Sequence, residues 1–174
     1  QFSKVFKEVG LQIVDRYGPL NQLEEGFINR GLGRVPVIGT LYRGSERAFA
    51  TAGNDFRKNV YRSTVRGWMP EGMRDRDFDS VAELVIATGR DTADFHELGR
   101  FLNALSGRSS NKILDRASPA LSPLFWSARY AFSRFEAPLM MLPGANKSKV
   151  IRQMALKDML AYAVAVLTPL VAIK

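Results

Sequence analysis

The sequence predicts an all-α fold, either an irregular multi-helix domain or an extended helical segment of a larger protein. Apolar residues recur at helical spacing in several stretches, whereas no alternating strand pattern or β-hairpin signal stands out. Glycine, proline and N-cap residues separate these stretches. A chain of 174 residues with 46% hydrophobic residues is long enough for one domain with a usable core.

The N-terminal part predicts two helices. Ser3 is a good N-cap for a first helix through residue 15, and Gly18-Pro19 ends it. A second, short helix is expected over residues 20–29. Glycines and a proline punctuate residues 31–39, so we expect an irregular connection there.

The longest predicted helix covers residues 45–68. Ser45 suits its N-terminus, Gly53 indicates close packing or a bend, and Pro70 closes it before a charged loop at 73–79. The expected apolar stripe comprises Phe49, Ala52, Phe56, Val60 and Val65, and the basic residues largely off it are Arg57, Lys58, Arg62 and Arg66.

A helix pair follows over residues 78–88 and 91–105. Gly89 separates the two helices, and Asp91 or Thr92 is the expected cap of the second. A Gly/Ser/Arg loop comes next. Further helical stretches are expected to start near Ser118 and Ser122, and a last helix near Ser148, running to residue 173.

These elements divide the chain into three parts. N-terminal helices occupy residues 1–34, a helical core 35–145, and a basic-then-apolar helix 146–174. The first residue is glutamine and the last residues lie inside an apolar run, so we expect a fragment of a longer chain.

The net charge is concentrated in one third of the chain. Residues 1–99 carry fourteen basic and fourteen acidic side chains, whereas residues 100–157 carry ten basic and two acidic ones. Such an asymmetry favours an anionic partner. The alternative is a solvated basic face with no partner. The expected polyanion-binding residues are Arg108, Lys112, Arg116, Arg129, Arg134, Lys147, Lys149 and Arg152.

Aromatic rings and arginines alternate over residues 111–136. Arginines can bind phosphates and rings can stack on exposed bases, which favours nucleic acid. Alternatively the rings fill the core and arginine stems pack along them, and this interpretation is the stronger because dense aromatic residues normally pack together. The rings are Phe125, Trp126, Tyr130, Phe132 and Phe135.

No catalytic or metal-binding pattern is present in the sequence. There is no cysteine, and His96 is the single histidine, without neighbours that compose a site. The alternating acids at 75–79 lack the glycine and glutamate of a calcium loop. The glycines at 31–39 lack the lysine and hydroxyl residue of a phosphate loop. We therefore predict no enzyme activity, no cofactor and no metal.

The terminal run 159–173 is almost purely apolar but shorter than the roughly 20 residues that span a bilayer. With basic residues upstream it is typical of a membrane-surface element. A buried terminal helix or a subunit contact is equally compatible. The residues expected to make this contact are Leu160, Val164, Leu167 and Leu170.

Short sequence blocks over roughly residues 35–160 carry a resemblance through their order and spacing. They are residues 36–41, 43–49 with Asn54 and Arg57, 101–103, 106–108, 121–126 with Arg129, 133–134 and 155–158. In this arrangement the chain resembles the large polyvalent-protein-associated helical domains of tailed bacteriophages, found in very long phage proteins, some packaged in the virion and ejected with the genome. The chain departs at Ser109 and Ala128, where the family pattern prefers glycine and proline.

The resemblance implies a non-enzymatic virion structural or ejection protein that packs in the particle and assists genome delivery. Expected partners are other virion proteins at the portal or tail, further copies of the chain, DNA and the host membrane. The expected location is the virion, then the host cell envelope after ejection. Two alternatives stay open: a DNA-binding accessory module of a polyvalent protein, and a membrane-inserting channel segment.

Overall fold

A computed structural model describes residues 2–13, 36–108 and 128–172, and of 36–50, 128–132, 134, 166 and 169–172 the backbone alone. The described residues are mostly helical and contain no strand, which confirms the all-α prediction. The predicted helix at 20–29 and the helix starts near Ser118 and Ser122 lie outside them. The helices are α1 Ser3–Glu8, α2 Pro36–Trp68, α3 Val81–Thr88, α4 Thr92–Leu105, α5 Ala128–Leu139 and α6 Lys149–Ala172, with a 3-10 turn at Glu71–Met73.

Helix α1 ends at Glu8, so the predicted continuation to residue 15 is wrong. The cause is Gly10, whose φ of 68° is left-handed. Its N–H donates to the Lys7 carbonyl at 3.2 Å, and the Leu11 N–H donates to the Phe6 carbonyl at 2.8 Å. This pair of hydrogen bonds closes a helix end and turns the chain away.

Helix α2 begins at Pro36, so the predicted irregular connection at 36–39 and the start at Ser45 are both wrong. Proline fits the first helical position because its fixed φ suits a helix and its missing N–H would have no partner there. The helix ends at Trp68, before Pro70, as predicted. At Gly53 an added Cβ would lie 3.6 Å from the guanidinium of Arg57 on the same helix, which is an ordinary van der Waals contact.

Helices α3 and α4 are capped by their own sequence. The Ser80 hydroxyl accepts a hydrogen bond from the Glu83 N–H at 3.3 Å, so α3 starts later than the predicted residue 78. Gly89, with a φ of 66°, ends α3. The Asp91 carboxylate then caps α4 by accepting from the Ala93 N–H at 3.0 Å, which confirms the predicted cap.

Helix α4 lies at the centre of the packing and contacts α2, α3, α5 and α6. It also touches the end of α1, since a Cβ added at Gly99 would lie 2.8 Å from the Val9 carbonyl oxygen. Only glycine allows that approach without a shift of α1. The apolar core is formed by Phe2, Val5, Phe6, Val9, Leu11, Tyr61, Val65, Met69, Phe78, Val81, Leu84, Phe95, Leu98, Phe101, Leu102, Met140, Ile151 and Ala155.

The connection from α5 to α6 is held by one arginine of α4. Arg100 Nε donates to Glu136 Oε1 at 3.2 Å, and its Nη1 donates to the Ala145 carbonyl at 3.1 Å. Pro138 lies inside the last turn of α5. We call the described residues up to Ala155 the packed body.

Candidate functional site

The base of α6 is fixed by a buried polar cluster. The Ser148 hydroxyl donates to Asp94 Oδ1 at 2.5 Å and accepts from the Ile151 N–H at 3.1 Å, so it caps α6 while binding α4. Arg90 pairs with Asp94 Oδ2 at 3.6 Å, and its guanidinium lies 4.5 Å from the Trp68 ring centroid. The direction of α6 is therefore set by contacts to α4 and α5.

Beyond Ala155 the helix leaves the packed body. None of its described side chains from Leu156 onward is buried, and Leu160 is 58% exposed. Of the predicted contact residues, Leu160, Val164 and Leu167 are all exposed, and of Leu170 the structure describes the backbone alone. We call residues 156–172 the outer half of α6.

Leucines in the outer half recur at a spacing that aligns them on one side. Leu156, Leu160 and Leu167 are separated by four and seven residues, with the partly exposed Ala163 between them. Steps of four and three residues are those of a helix that packs along another helix. Among the residues that the structure describes, no helix has both the length and the apolar character needed to cross a membrane.

The predicted polyanion-binding residues fall into two groups along the chain, one between residues 108 and 134 and one between residues 147 and 152. Arg108 is only 8% exposed, and its Nη1 donates to the Gln12 carbonyl at 2.9 Å, so its position serves the fold. Lys112 and Arg116 lie outside the described residues, and of Arg129 and Arg134 only the helical backbone of α5 is described.

The second group lies together at the start of α6. Lys147 and Lys149 are exposed and Arg152 is partly exposed. The structure thus brings three basic side chains next to the base of the helix, at the end opposite its apolar run.

The aromatic–arginine segment is described only in part. Phe125 and Trp126 lie outside the described residues, and of Tyr130 and Phe132 only the backbone is described. Phe135 is 68% exposed, so this ring does not fill the core as predicted for the segment.

The sequence prediction misplaced the buried face of α2. Arg57 was expected off the apolar stripe, yet it is buried, with hydrogen bonds from Nη1 to Ser106 Oγ and from Nη2 to Asn54 Oδ1, both at 2.8 Å. Phe56, expected on the stripe, is 46% exposed. The buried face runs through positions 54, 57, 61 and 65, a helical repeat that the polar residues at 54 and 57 conceal.

A second polar group overlooked in the sequence ties the N-terminal segment to α4. Buried Asn103 donates to the Gly10 carbonyl at 2.9 Å and accepts from the Gln12 N–H at 3.0 Å.

Burial, and secondarily the Glu8 carboxylate, raise the pKa of Tyr61 well above its usual range, so its hydroxyl stays protonated.

The described ranges contain one histidine and several acidic side chains. His96 is exposed on α4. Across residues 2–13, 36–108 and 128–172, no group of three histidine, cysteine or acidic side chains could hold a metal ion. What the geometry offers is surface: an apolar helix segment and basic side chains.

Comparison of the chain with protein-family models, with curated proteins and with solved structures gave no match.

Proposed function

We propose that this chain is a non-enzymatic segment of a bacteriophage virion structural or ejection protein. It packs within the particle through helix–helix contact and assists genome delivery. The phage setting rests on the sequence resemblance described above. The contact itself rests on one structural observation, the exposed apolar outer half of α6 on a base that is fixed to the packed body.

The physical reason is the cost of leaving that surface in water. Burying a leucine side chain stabilises by about 1.5–3 kcal/mol relative to leaving it exposed. Leu156, Leu160 and Leu167 are 48%, 58% and 56% exposed in the single chain. A second helix laid along these leucines removes most of that area from water, and a neighbouring virion protein or another copy of the chain supplies such a helix.

The contact is tested by the oligomeric state of the purified chain. Light scattering after size exclusion is measured over roughly 1–100 µM, since association follows mass action. We expect assemblies larger than a monomer. The triple variant Leu156→Gln, Leu160→Gln and Leu167→Gln is expected to be monomeric with an unchanged helical circular dichroism spectrum.

The chain offers a matched control for this triple variant. Phe56, Met73 and Ile86 are exposed apolar residues of the packed body, and their replacement by glutamine removes a comparable apolar surface elsewhere. The control is expected to assemble like the unmodified chain. Assembly that survives the triple variant contradicts the proposed contact, and a monomeric unmodified chain contradicts a contact between copies of the chain.

Two further measurements test the virion assignment and the membrane-inserting alternative separately from the helix–helix contact. Mass spectrometry of purified phage particles is expected to detect peptides of this chain, and their absence from particles contradicts the virion assignment. Flotation with anionic liposomes tests the membrane-inserting alternative, because a lipid-bound chain floats and the Gln triple variant does not.

A further inference from the structure

Three basic residues of α2 follow one another at four-residue steps. Lys58, Arg62 and Arg66 therefore lie along one side of the helix over about 12 Å. None of the three forms an ion pair within the described part of the chain. We call them the α2 basic stripe.

Four other basic residues of the packed body are paired with acids. Lys4 lies 3.2 Å from Asp79, and Arg74 lies 3.9 Å from Glu71. Arg90, just before α4, pairs with Asp94 of that helix, and Arg100 of α4 pairs with Glu97 of the same helix and with Glu136 of α5. Within the described part of the chain the stripe differs from these four bases, because none of its three residues is paired with an acid.

The stripe is also ordered before any ligand binds. The Arg62 guanidinium carbon lies 5.4 Å from the Phe6 ring centroid and 5.9 Å from that of Phe2. The Nε atoms of Arg62 and Arg66 are buried, so the stems are packed while the side chains are only partly covered. Arginines held in this way lose less rotamer freedom on binding than free side chains do.

We propose that the α2 basic stripe binds the phosphate backbone of double-stranded DNA. Its length of about 12 Å equals the rise of three to four base pairs, over which a duplex presents several phosphates. Asp55, exposed one turn before Lys58, ends the positive surface on that side.

The surroundings of the stripe favour a duplex over other polyanions. Single strands are held by exposed rings on which bases stack, but Phe2 and Phe6 under Arg62 are buried. Membrane-surface helices interleave bases with apolar residues, whereas the exposed neighbours Asn59 and Ser63 are polar. This surface lies apart from the basic residues at the start of α6 and goes beyond the proposed function.

The test is the salt dependence of duplex binding, measured by fluorescence anisotropy with a labelled duplex of about 20 base pairs. Each phosphate contact adds roughly 0.9 to the slope of log affinity against log salt. The double variant Arg62→Gln and Arg66→Gln is therefore expected to lower the slope by about 1.8. Arg62→Lys with Arg66→Lys keeps the charge and is expected to keep the slope.

A control with the same loss of charge is Arg74→Gln with Arg76→Gln, in the exposed loop after the 3-10 turn. It is expected to leave the slope unchanged. Circular dichroism confirms that each variant is folded before it is titrated.

Three results overturn the proposal: no duplex binding by the unmodified chain at low salt, equal slopes in a folded Arg62/Arg66 variant and the unmodified chain, or tighter binding to single-stranded DNA or anionic vesicles than to the duplex.

Discussion

The base and the outer half of α6 belong to one continuous helix but meet different surroundings. Ile151 and Ala155 are fully buried against the packed body, whereas Leu156, Leu160 and Leu167 are exposed. The sequence becomes more apolar along the helix just where burial within the chain ends. Apolar character that its own domain does not bury points to a contact outside the packed body.

The largest expected effect is the difference in unfolding free energy between two truncations to alanine, one in the base and one in the outer half of α6. Ile151→Ala removes a side chain from the core, and we expect it to lower the free energy of unfolding by about 3 kcal/mol. Leu160→Ala removes an exposed side chain and is expected to change the monomer by less than about 0.5 kcal/mol. Urea denaturation at low protein concentration measures both.

Protein concentration is the control for this pair. If the outer half joins another helix, Leu160→Ala gains a destabilising effect as the concentration rises, whereas the effect of Ile151→Ala stays the same. Equal effects of both substitutions in a dilute sample would mean that the outer half packs within its own chain.

A second, smaller effect is expected at the cap that joins α6 to α4. Ser148→Ala removes the cap of α6 and the buried hydrogen bond to Asp94, and we expect a loss of about 2 kcal/mol in unfolding free energy. In the outer half, Thr168 has a hydroxyl that donates to the Val164 carbonyl at 2.7 Å while exposed. Thr168→Ala is expected to be nearly neutral in thermal denaturation. A comparable loss of stability in Ser148→Ala and Thr168→Ala would contradict the difference between the base and the outer half of α6.

Local signals allowed much of the fold to be predicted. Gly89 and Asp91 mark the boundary between α3 and α4 because a left-handed glycine and a capping carboxylate act within a few residues. The start of α2 is harder to predict, because Gly39 and the proline before it resemble a loop when no packing is known. The end of α1 is harder to predict, because a lone glycine within an apolar repeat does not reveal the left-handed φ by which Gly10 ends the helix.

The candidate surfaces were only partly predictable. The apolar run identified Leu160, Val164 and Leu167, but composition alone cannot tell a buried helix from an exposed one. Composition alone likewise cannot tell a buried arginine from an exposed one. Arg57 and Arg108 are buried through hydrogen bonds to residues 49 and 96 positions away in sequence, which no local pattern reveals.

The smallest effect is expected inside the packed body, at Tyr61. Its hydroxyl is buried and has no hydrogen-bond partner among the described residues, while its ring packs edge-on against Phe6. Tyr61→Phe keeps the ring contact and removes the unsatisfied group. We therefore expect the variant to be about 1 kcal/mol more stable than the unmodified chain at neutral pH.

This difference should widen in alkali. Burial and Glu8 raise the pKa of Tyr61 in the folded state, whereas a tyrosine in the unfolded chain titrates near pH 10. Above that pH the unfolded state loses a proton that the folded state keeps, so folding loses about 1.4 kcal/mol per pH unit through this group. Phenylalanine cannot titrate, and Tyr162→Phe in the exposed outer half is the matched control. Denaturation curves between about pH 8 and pH 11 should therefore diverge for Tyr61→Phe alone, and parallel curves would show that Tyr61 is exposed to solvent like Tyr162.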